Sequence, residues 1–362
     1  MRTTHRLVAS DAREIALDAQ SVALVVTSPP YPMIAMWDNV FAAMSSAVPP
    51  LGEHASISAA DGAFEAMHAE LDRVWAALWP ALVPGGVVCV NIGDATRTLG
   101  GQFRRWPNAA RITMAFLRLG FDVLPDILWR KPTNAPNKFM GSGMLPGGAY
   151  VTYEHEYILI FRKGKGRVFT GVAQVNRARS AYFWEERNRW FSDLWDGLAG
   201  VGQAVGSPGR DRSAAYPLAL PHRLIQMFSS YEDTVLDPFI GTGTTSVAAA
   251  GLGRNSIGIE HDGAMLAQVP ARMLDSVEDA RRRAGQRLRD HAAFVQSRLQ
   301  AGKQFAHHNT VHDLPVVTRQ ERTIEVIAPA RMVESELTCT YETAFAGLAL
   351  APLRSSSRRQ PG

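Results

Sequence analysis

An α/β architecture, a mostly parallel sheet covered by helices, is what the sequence predicts, and three observations predict it. Short continuous apolar runs at residues 22–26 (VALVV), 87–91 (VVCVN), 123–129 and 157–161 (YILIF) have the composition of strands buried on both faces. A stretch of helical period lies between the first two. A strand, a Gly-rich turn, a helix and a second strand then follow one another over residues 234–260, which is a βαβ unit.

Taken in order, the run at 22–26 is a buried strand. From Phe64 the apolar residues Met67, Leu71, Val74, Trp75, Leu78 and Trp79 recur at three- and four-residue steps, and Pro84-Gly85-Gly86 is expected to stop this helix before the strand at 87–91. Strands at 123–129 and 157–161 complete the first half. Residues 164–212 change to Arg, aromatic and Gly residues without a long period and read as an inserted segment. Regularity returns with a helix at 216–228, strands at 234–236 and 256–260, and a helix at 246–252 between them. A helix at 279–300 carries Arg281, Arg282, Arg283, Arg287, Arg289 and Arg298, read as a solvated face. No internal repeat occurs, no role is assigned after Ala301, and the final SSSRRQPG has the composition of a disordered tail.

The chain has 362 residues, enough for two domains or one large domain with insertions. Hydrophobic residues at 46% and charged residues at 20% exclude collagen-like, coiled-coil and wholly disordered classes. Only Cys89 and Cys339 are present, so neither a disulfide framework nor a four-cysteine zinc site can form, as suits a reducing cytoplasm. Charges interrupt the first residues, MRTTHRLVASDAREIAL, which lack the apolar run of a signal peptide or membrane span. The net charge of +4 permits a polyanionic partner without requiring one.

The strongest motif is Asp237-Pro238-Phe239-Ile240-Gly241-Thr242-Gly243-Thr244-Thr245, with Glu260 ending the next strand. Glycines at a strand-to-helix turn admit a ligand close to backbone, and an acidic residue after the second strand can accept from ribose hydroxyls. A nucleoside-containing cofactor is implied. Ser246 in place of the third glycine argues against NAD or FAD, and no Gly-Lys-Ser/Thr stands at phosphate-loop spacing. The second motif, Thr27-Ser28-Pro29-Pro30-Tyr31, leaves the first strand. Its prolines stiffen the exit and cannot donate backbone hydrogen bonds, so the Ser28 hydroxyl and Pro29 carbonyl can be held as acceptors beside an aromatic face, which suits a flat amine. A proline turn with a packed tyrosine is the bland alternative, and the pairing with the glycine turn decides against it.

Together these motifs resemble the amino-methyltransferases of DNA, in the motif order of their β group, over residues 5–265. The resemblance implies a circularly permuted Rossmann-like methyltransferase sheet with helices on both faces and an inserted target-recognition segment. Residues 1–163 would carry the catalytic motif, 164–212 target recognition and 213–300 the cofactor, with 301–362 an extension. It assigns catalysis to Ser28, Pro29, Pro30 and Tyr31. S-adenosylmethionine binding falls to Asp11, Tyr216, Pro217, Asp237, Pro238, Phe239, Gly241, Thr242, Gly243, Thr244 and Glu260. Ser10-Asp11-Ala12 departs from the family's Gly-Asp-Ala at its first residue. Leu220-Pro221, Pro84-Gly85-Gly86 with Gly93-Asp94, Trp129-Arg130-Lys131 and Glu154-His155-Glu156-Tyr157 are further matches. The implied partners are double-stranded DNA and a restriction endonuclease acting on the same site, in a bacterial or archaeal cytoplasm.

The chemistry follows from the amine, whose lone pair is delocalised into the base. Acceptors that pull its hydrogens toward tetrahedral geometry make it nucleophilic, and transfer needs neither a metal nor a covalent enzyme intermediate. Methylation at ring carbon 5 would need a cysteine nucleophile following proline, but Cys89 follows Val88 and Cys339 follows Thr338. A base within a duplex must be flipped out, with Tyr31 stacking on it. His155 is given no catalytic role. Arg177, Arg179, Arg187 and Arg189, interleaved with Tyr182, Phe183, Trp184 and Trp190, suit phosphate and base-edge contacts, the alternative being a subdomain core with solvated arginines. Serine at the head of the motif, preceded by Thr27, is associated in the family with cytosine N4, and adenine N6 is the runner-up. Intact motifs oppose a non-catalytic nucleic-acid-binding homologue, and Ser246 opposes a dinucleotide oxidoreductase.

Overall fold

Every side chain of Val22–Thr27 is buried, as a strand covered on both faces requires, and this strand lies in the middle of the sheet. The computed structural model describes residues 1–49, 51–52, 55–131, 140–198 and 216–345. Among the described residues the main sheet contains β1 (Arg2–Ala9), β2 (Val22–Thr27), β3 (Leu82–Ile92), β4 (Asp122–Arg130), β5 (His155–Arg162), β6 (Leu194–Trp195), β7 (Thr234–Asp237), β8 (Asn255–Glu260), β9 (Ile327–Val333) and β10 (Thr338–Thr343). Their order is β6-β4-β5-β3-β2-β7-β8-β1-β10-β9. Strands β3, β2, β7, β8 and β1 run parallel. Strand β5 is antiparallel to both neighbours, and β10 and β9 close the far edge antiparallel.

The helices are α1 (Asp38–Met44), α2 (Ile57–Ala81), α3 (Asn108–Arg118), α4 (Gly171–Arg179), α5 (Trp184–Trp190), α6 (Ala219–Phe228), α7 (Thr244–Gly251), α8 (Gly263–Leu266), α9 (Val269–Asp275) and α10 (Val277–Gln300). Ser56 caps α2 by accepting from the Ala59 amide. The α2 side chains Met67, Leu71, Val74, Trp75 and Leu78 bury Val25, Val88 and Leu236 on one face of the sheet. On the other face α6 and α7 cover Leu24, Val26, Cys89 and Val235. From β2 the chain crosses through α2 to β3, and from β7 it crosses through α7 to β8, on the other side. The helices therefore part where β2 meets β7 and leave a crevice beyond the carboxyl ends of these strands, where open α/β sheets bind ligands. No helix among the described residues is long and apolar enough to cross a membrane.

Several expectations change. Helix α2 ends at Ala81 and β3 begins at Leu82, so Pro84-Gly85-Gly86 lies inside the strand instead of stopping the helix. It makes an irregularity there, with the pairing register to β2 shifted and Gly85 at φ +77. A Cβ on Gly85 would stand 2.4 Å from the Arg167 amide nitrogen. The arginines of α10 are not all solvated: Arg287 is half-buried against Glu186, and Arg281 donates to the Pro329 and Ala330 carbonyls. The region after Ala301 adds β9 and β10 to the sheet and shares a core with α10 through Leu288, Val316, Ile324 and Val326. Residues 346–362, with the SSSRRQPG stretch, and residues 199–215, the end of the expected recognition segment, lie outside the described residues.

Candidate active site

The two motifs leave adjacent parallel strands, and a buried carboxylate joins them. Asp237 accepts from the Thr27 hydroxyl at 2.7 Å and the Phe239 amide at 3.0 Å on Oδ1. Its Oδ2 accepts from Thr245 at 2.6 Å and from Tyr216 at 3.2 Å. Burial pushes the Asp237 carboxyl up to about 6 while these donors pull it back. Tyr216 also meets the Thr245 hydroxyl, and Pro217 is buried beside it. The Asp237 side chain thus ties the segment before α6, the catalytic strand and the glycine turn together.

At the glycine turn, Gly243 has φ +88, and a Cβ on it would sit 2.5 Å from Val269 Cγ1, so only glycine fits. The Gly241 amide donates to Glu260 Oε2 at 3.0 Å, and the Asp262 amide donates to Oε1 at 3.0 Å. Pro238 is buried and Phe239 half-buried, while Thr242 accepts from Arg272 through its carbonyl and hydroxyl. The Thr244 hydroxyl, at the start of α7, is buried without a hydrogen-bond partner. Pairing of β1 with β8 places Ala9 opposite Glu260, and the Ser10 amide donates to the Glu260 carbonyl, which sets Asp11 beside it. The Arg13 guanidinium on Asp11 holds that carboxyl below its ordinary range, and Arg13 also pairs with Glu70 at 2.6 Å. Two carboxylates at neighbouring strand ends, a turn with glycines at 241 and 243 and an orphaned hydroxyl are a donor and acceptor set that fits the nucleoside of S-adenosylmethionine.

In the catalytic turn the Tyr31 hydroxyl accepts from Ser28 Oγ at 3.1 Å and from Asn91 Nδ2 at 2.8 Å, and donates to Glu156 Oε2 at 3.0 Å. Asn91 also donates to Glu156 at 2.8 Å, and Lys131 Nζ meets the other carboxylate oxygen at 2.7 Å. Burial, with Glu156 beside it, pushes the Tyr31 phenol up, so it stays protonated. The ring lies on Gly93, where a Cβ would come within 3.2 Å of Tyr31 Cε2. Behind the turn, Asn108 Nδ2 donates to the Pro32 and Gly93 carbonyls, both at 3.0 Å, while its Oδ1 meets His68 Nε2 at 3.0 Å. Asn91, Asn108 and His68 carry no motif signal. Glu156 and Lys131 stood within matched motifs, but their contact with Tyr31 or with each other had no sequence signal. His155 lies against the Tyr153 and Tyr157 rings, its Nε2 buried and unpartnered.

The four arginines of the expected recognition segment are placed differently. Arg179 is ion-paired with Glu325 at 2.7 Å, and Arg177 lies over the Phe169 ring. Helix α4 is anchored through Asn176 to the Tyr231 carbonyl and Glu232, just ahead of β7 and so at the end of the sheet opposite Ser28. Arg187 and Arg189 are exposed on α5, which is held to α10 by Glu186 with Arg287 and Glu185 with His291. Among the described residues no hydrogen bond or ion pair links any of the four to the catalytic or glycine turn.

The family of N6/N4 methyltransferases, described as DNA methylase, matches residues 22–269. The Type II methyltransferase M.MthZI of Methanothermobacter thermautotrophicus is 46% identical over 334 residues, covering 91% of this chain and 92% of its own. M.MjaI of Methanocaldococcus jannaschii is 48% identical over 72% of this chain and 88% of its own. The structure of a DNA modification methylase from Thermus thermophilus, TTHA0409, complexed with S-adenosyl-L-methionine, is similar at a TM-score of 0.59 and 35% identity, over 75% of this chain and 96% of that one. The PvuII cytosine-N4-specific enzyme shares the fold, at a TM-score of 0.51 and 18% identity over 74% of this chain and 85% of that one. With both motifs meeting at one crevice, the chain belongs to the N6/N4 DNA methyltransferase family and is an S-adenosylmethionine-dependent DNA methyltransferase.

Proposed function

We propose that the acceptor is the exocyclic N4 of cytosine in double-stranded DNA. The observation that carries this reading is Ser28, a neutral hydroxyl heading the catalytic turn where adenine enzymes of the family commonly have aspartate. When bound, S-adenosylmethionine supplies the activated methyl group. Ser28 and the Pro29 carbonyl accept the amine hydrogens and turn its lone pair out of the ring, and Pro30 offers no competing amide hydrogen. Tyr31 stacks on the flipped base, its ring fixed because Asn91 and Glu156 hold the hydroxyl. The proton released after transfer passes to water. Glu260 and Asp11 accept from the cofactor's nucleoside, beside the turn from Gly241 to Thr244.

The DNA lies over the carboxyl ends of β2, β3 and β4, where Arg104, Arg105, Arg130 and Lys131, paired with Asp61, Asp94, Glu154 and Glu156, are at least partly exposed and can meet phosphates. The Type II naming of M.MthZI and M.MjaI supports a restriction endonuclease for the same sequence as partner. Nucleoside mass spectrometry of DNA from cells expressing the protein tests the reading. N4-methylcytosine is expected, and N6-methyladenine alone would overturn the choice of base while leaving family and cofactor in place.

A further inference from the structure

We propose that Met144 and Leu145 form an apolar wedge that enters the DNA stack as the target base leaves it. The inference rests on the reading of duplex DNA as substrate. Met140–Gly141 pairs antiparallel with Ala149–Tyr150, and between them the chain makes a turn bonded within itself. The Ser142 amide donates to the Gly148 carbonyl at 2.8 Å, and the Ser142 hydroxyl donates to the Leu145 carbonyl at 2.8 Å. This braced turn carries Met144 at 87% and Leu145 at 68% exposure into solvent.

The hairpin is fastened to the catalytic rim at two points. The Tyr150 ring stacks on Phe103 at 4.5 Å between centroids and 17° between planes. The Tyr153 hydroxyl donates to Asp94 at 3.2 Å, and Asp94 follows the glycine on which the Tyr31 ring lies. Arg104 and Arg105 stand on the same strand as Phe103, and Arg130 and Lys131 at the end of β4. Singly exposed apolar residues are ordinary on protein surfaces. Two adjacent ones at a braced tip, on a hairpin whose base is tied to the rim of the catalytic turn next to Arg104 and Arg105, which pair with Asp61 and Asp94, have a specific use. Unstacking a base costs a few kcal/mol, and apolar side chains placed between base steps offset that cost. The wedge therefore acts on the opening of the duplex and not on the methyl transfer.

The test compares two substrates carrying the sequence that wild-type enzyme methylates, one an intact duplex and the other with the target base opposite an abasic site, where the base has no pairing partner and extruding it costs less. For Met144→Ser combined with Leu145→Ser, kcat/KM on the intact duplex is expected to fall ten- to hundredfold, with activity on the abasic duplex within about threefold of wild type. Calorimetric affinity for S-adenosylmethionine should be unchanged, which shows that the variant is folded. Val168→Ser, at an exposed apolar residue of the opposite end, should match wild type on both substrates. Equal losses on both duplexes, or wild-type rates on both, would overturn the wedge. So would a change of oligomeric state in sedimentation, which would make the tip a contact between copies. Wild-type enzyme that methylated only single strands would instead sink the duplex reading, and the wedge with it.

Discussion

Thr27 donates its hydroxyl to Oδ1 of Asp237 across 2.7 Å, and that bond joins the strand bearing the catalytic turn to the strand bearing the cofactor turn. Thr27→Val keeps the shape but leaves a buried carboxylate one donor short. The expected loss is about 1–3 kcal/mol of folding stability, read from urea unfolding, with Thr27→Ser recovering most of it.

Burial raises the Asp237 carboxyl to about 6, above its value of about 4 in an unfolded chain. Between these values the folded chain keeps a proton that the unfolded chain has released. That proton stabilises the fold at acid pH, and the stabilisation is lost as pH rises through 6. Measured against Asp237→Asn, wild-type stability should fall by on the order of 3 kcal/mol between pH 4 and pH 7. Stability curves of wild type and variant that ran parallel would contradict the assignment.

Glu260 is braced by two backbone amides at the end of β8, which aims it at the crevice. Its replacement by alanine should remove hydrogen bonds of charged character and weaken S-adenosylmethionine about ten- to hundredfold, as measured by calorimetry. Unchanged affinity would take Glu260 out of the cofactor site.

Glu156 holds the Tyr31 hydroxyl together with Asn91, while its other oxygen pairs with Lys131. Glu156→Ala should therefore lower kcat about tenfold or more while leaving cofactor affinity within error, and Tyr31→Phe, which keeps the ring, should be milder than Tyr31→Ala, where stacking worth about 1–3 kcal/mol is lost. Identical kcat values for Tyr31→Phe and Tyr31→Ala would show that the ring does not stack on the base.

Strands β2, β3 and β5 were legible because the sheet's interior contributes unbroken apolar runs, whereas β4, expected to be buried on both faces, is broken by Pro125-Asp126 and buries only Ile127 and Trp129. Strand β1 was not legible, since its inward positions include Thr3 and His5, polar residues buried by bonding to each other and to Ser256. The sequence RTTHRLVA therefore shows no apolar alternation, and TCTYET in β10 hides in the same way. The two turns of the site could be read locally because each is one contiguous peptide. The network around Tyr31 could not, because Asn91, Lys131 and Glu156 come from β3, the end of β4 and β5 and meet only through antiparallel pairing. Arg179 shows the converse: its ion-pair partner Glu325 is remote in sequence, so the pair that ties α4 to the C-terminal region has no local signal.

Strand β1 is an interior strand, with β8 on one side and β10 on the other, and Arg2, Thr3 and Thr4 are paired with Thr340, Cys339 and Thr338. Residues at position 3 leave the ribosome long before those at position 339. During synthesis, and in any chain cut after α10, that side of β1 presents unpaired backbone amides and carbonyls, a template on which another chain can add a strand. The last described strands cover that side of β1 and move the open edge to β9, where Pro329 and the register irregularity beside it make a poorer template.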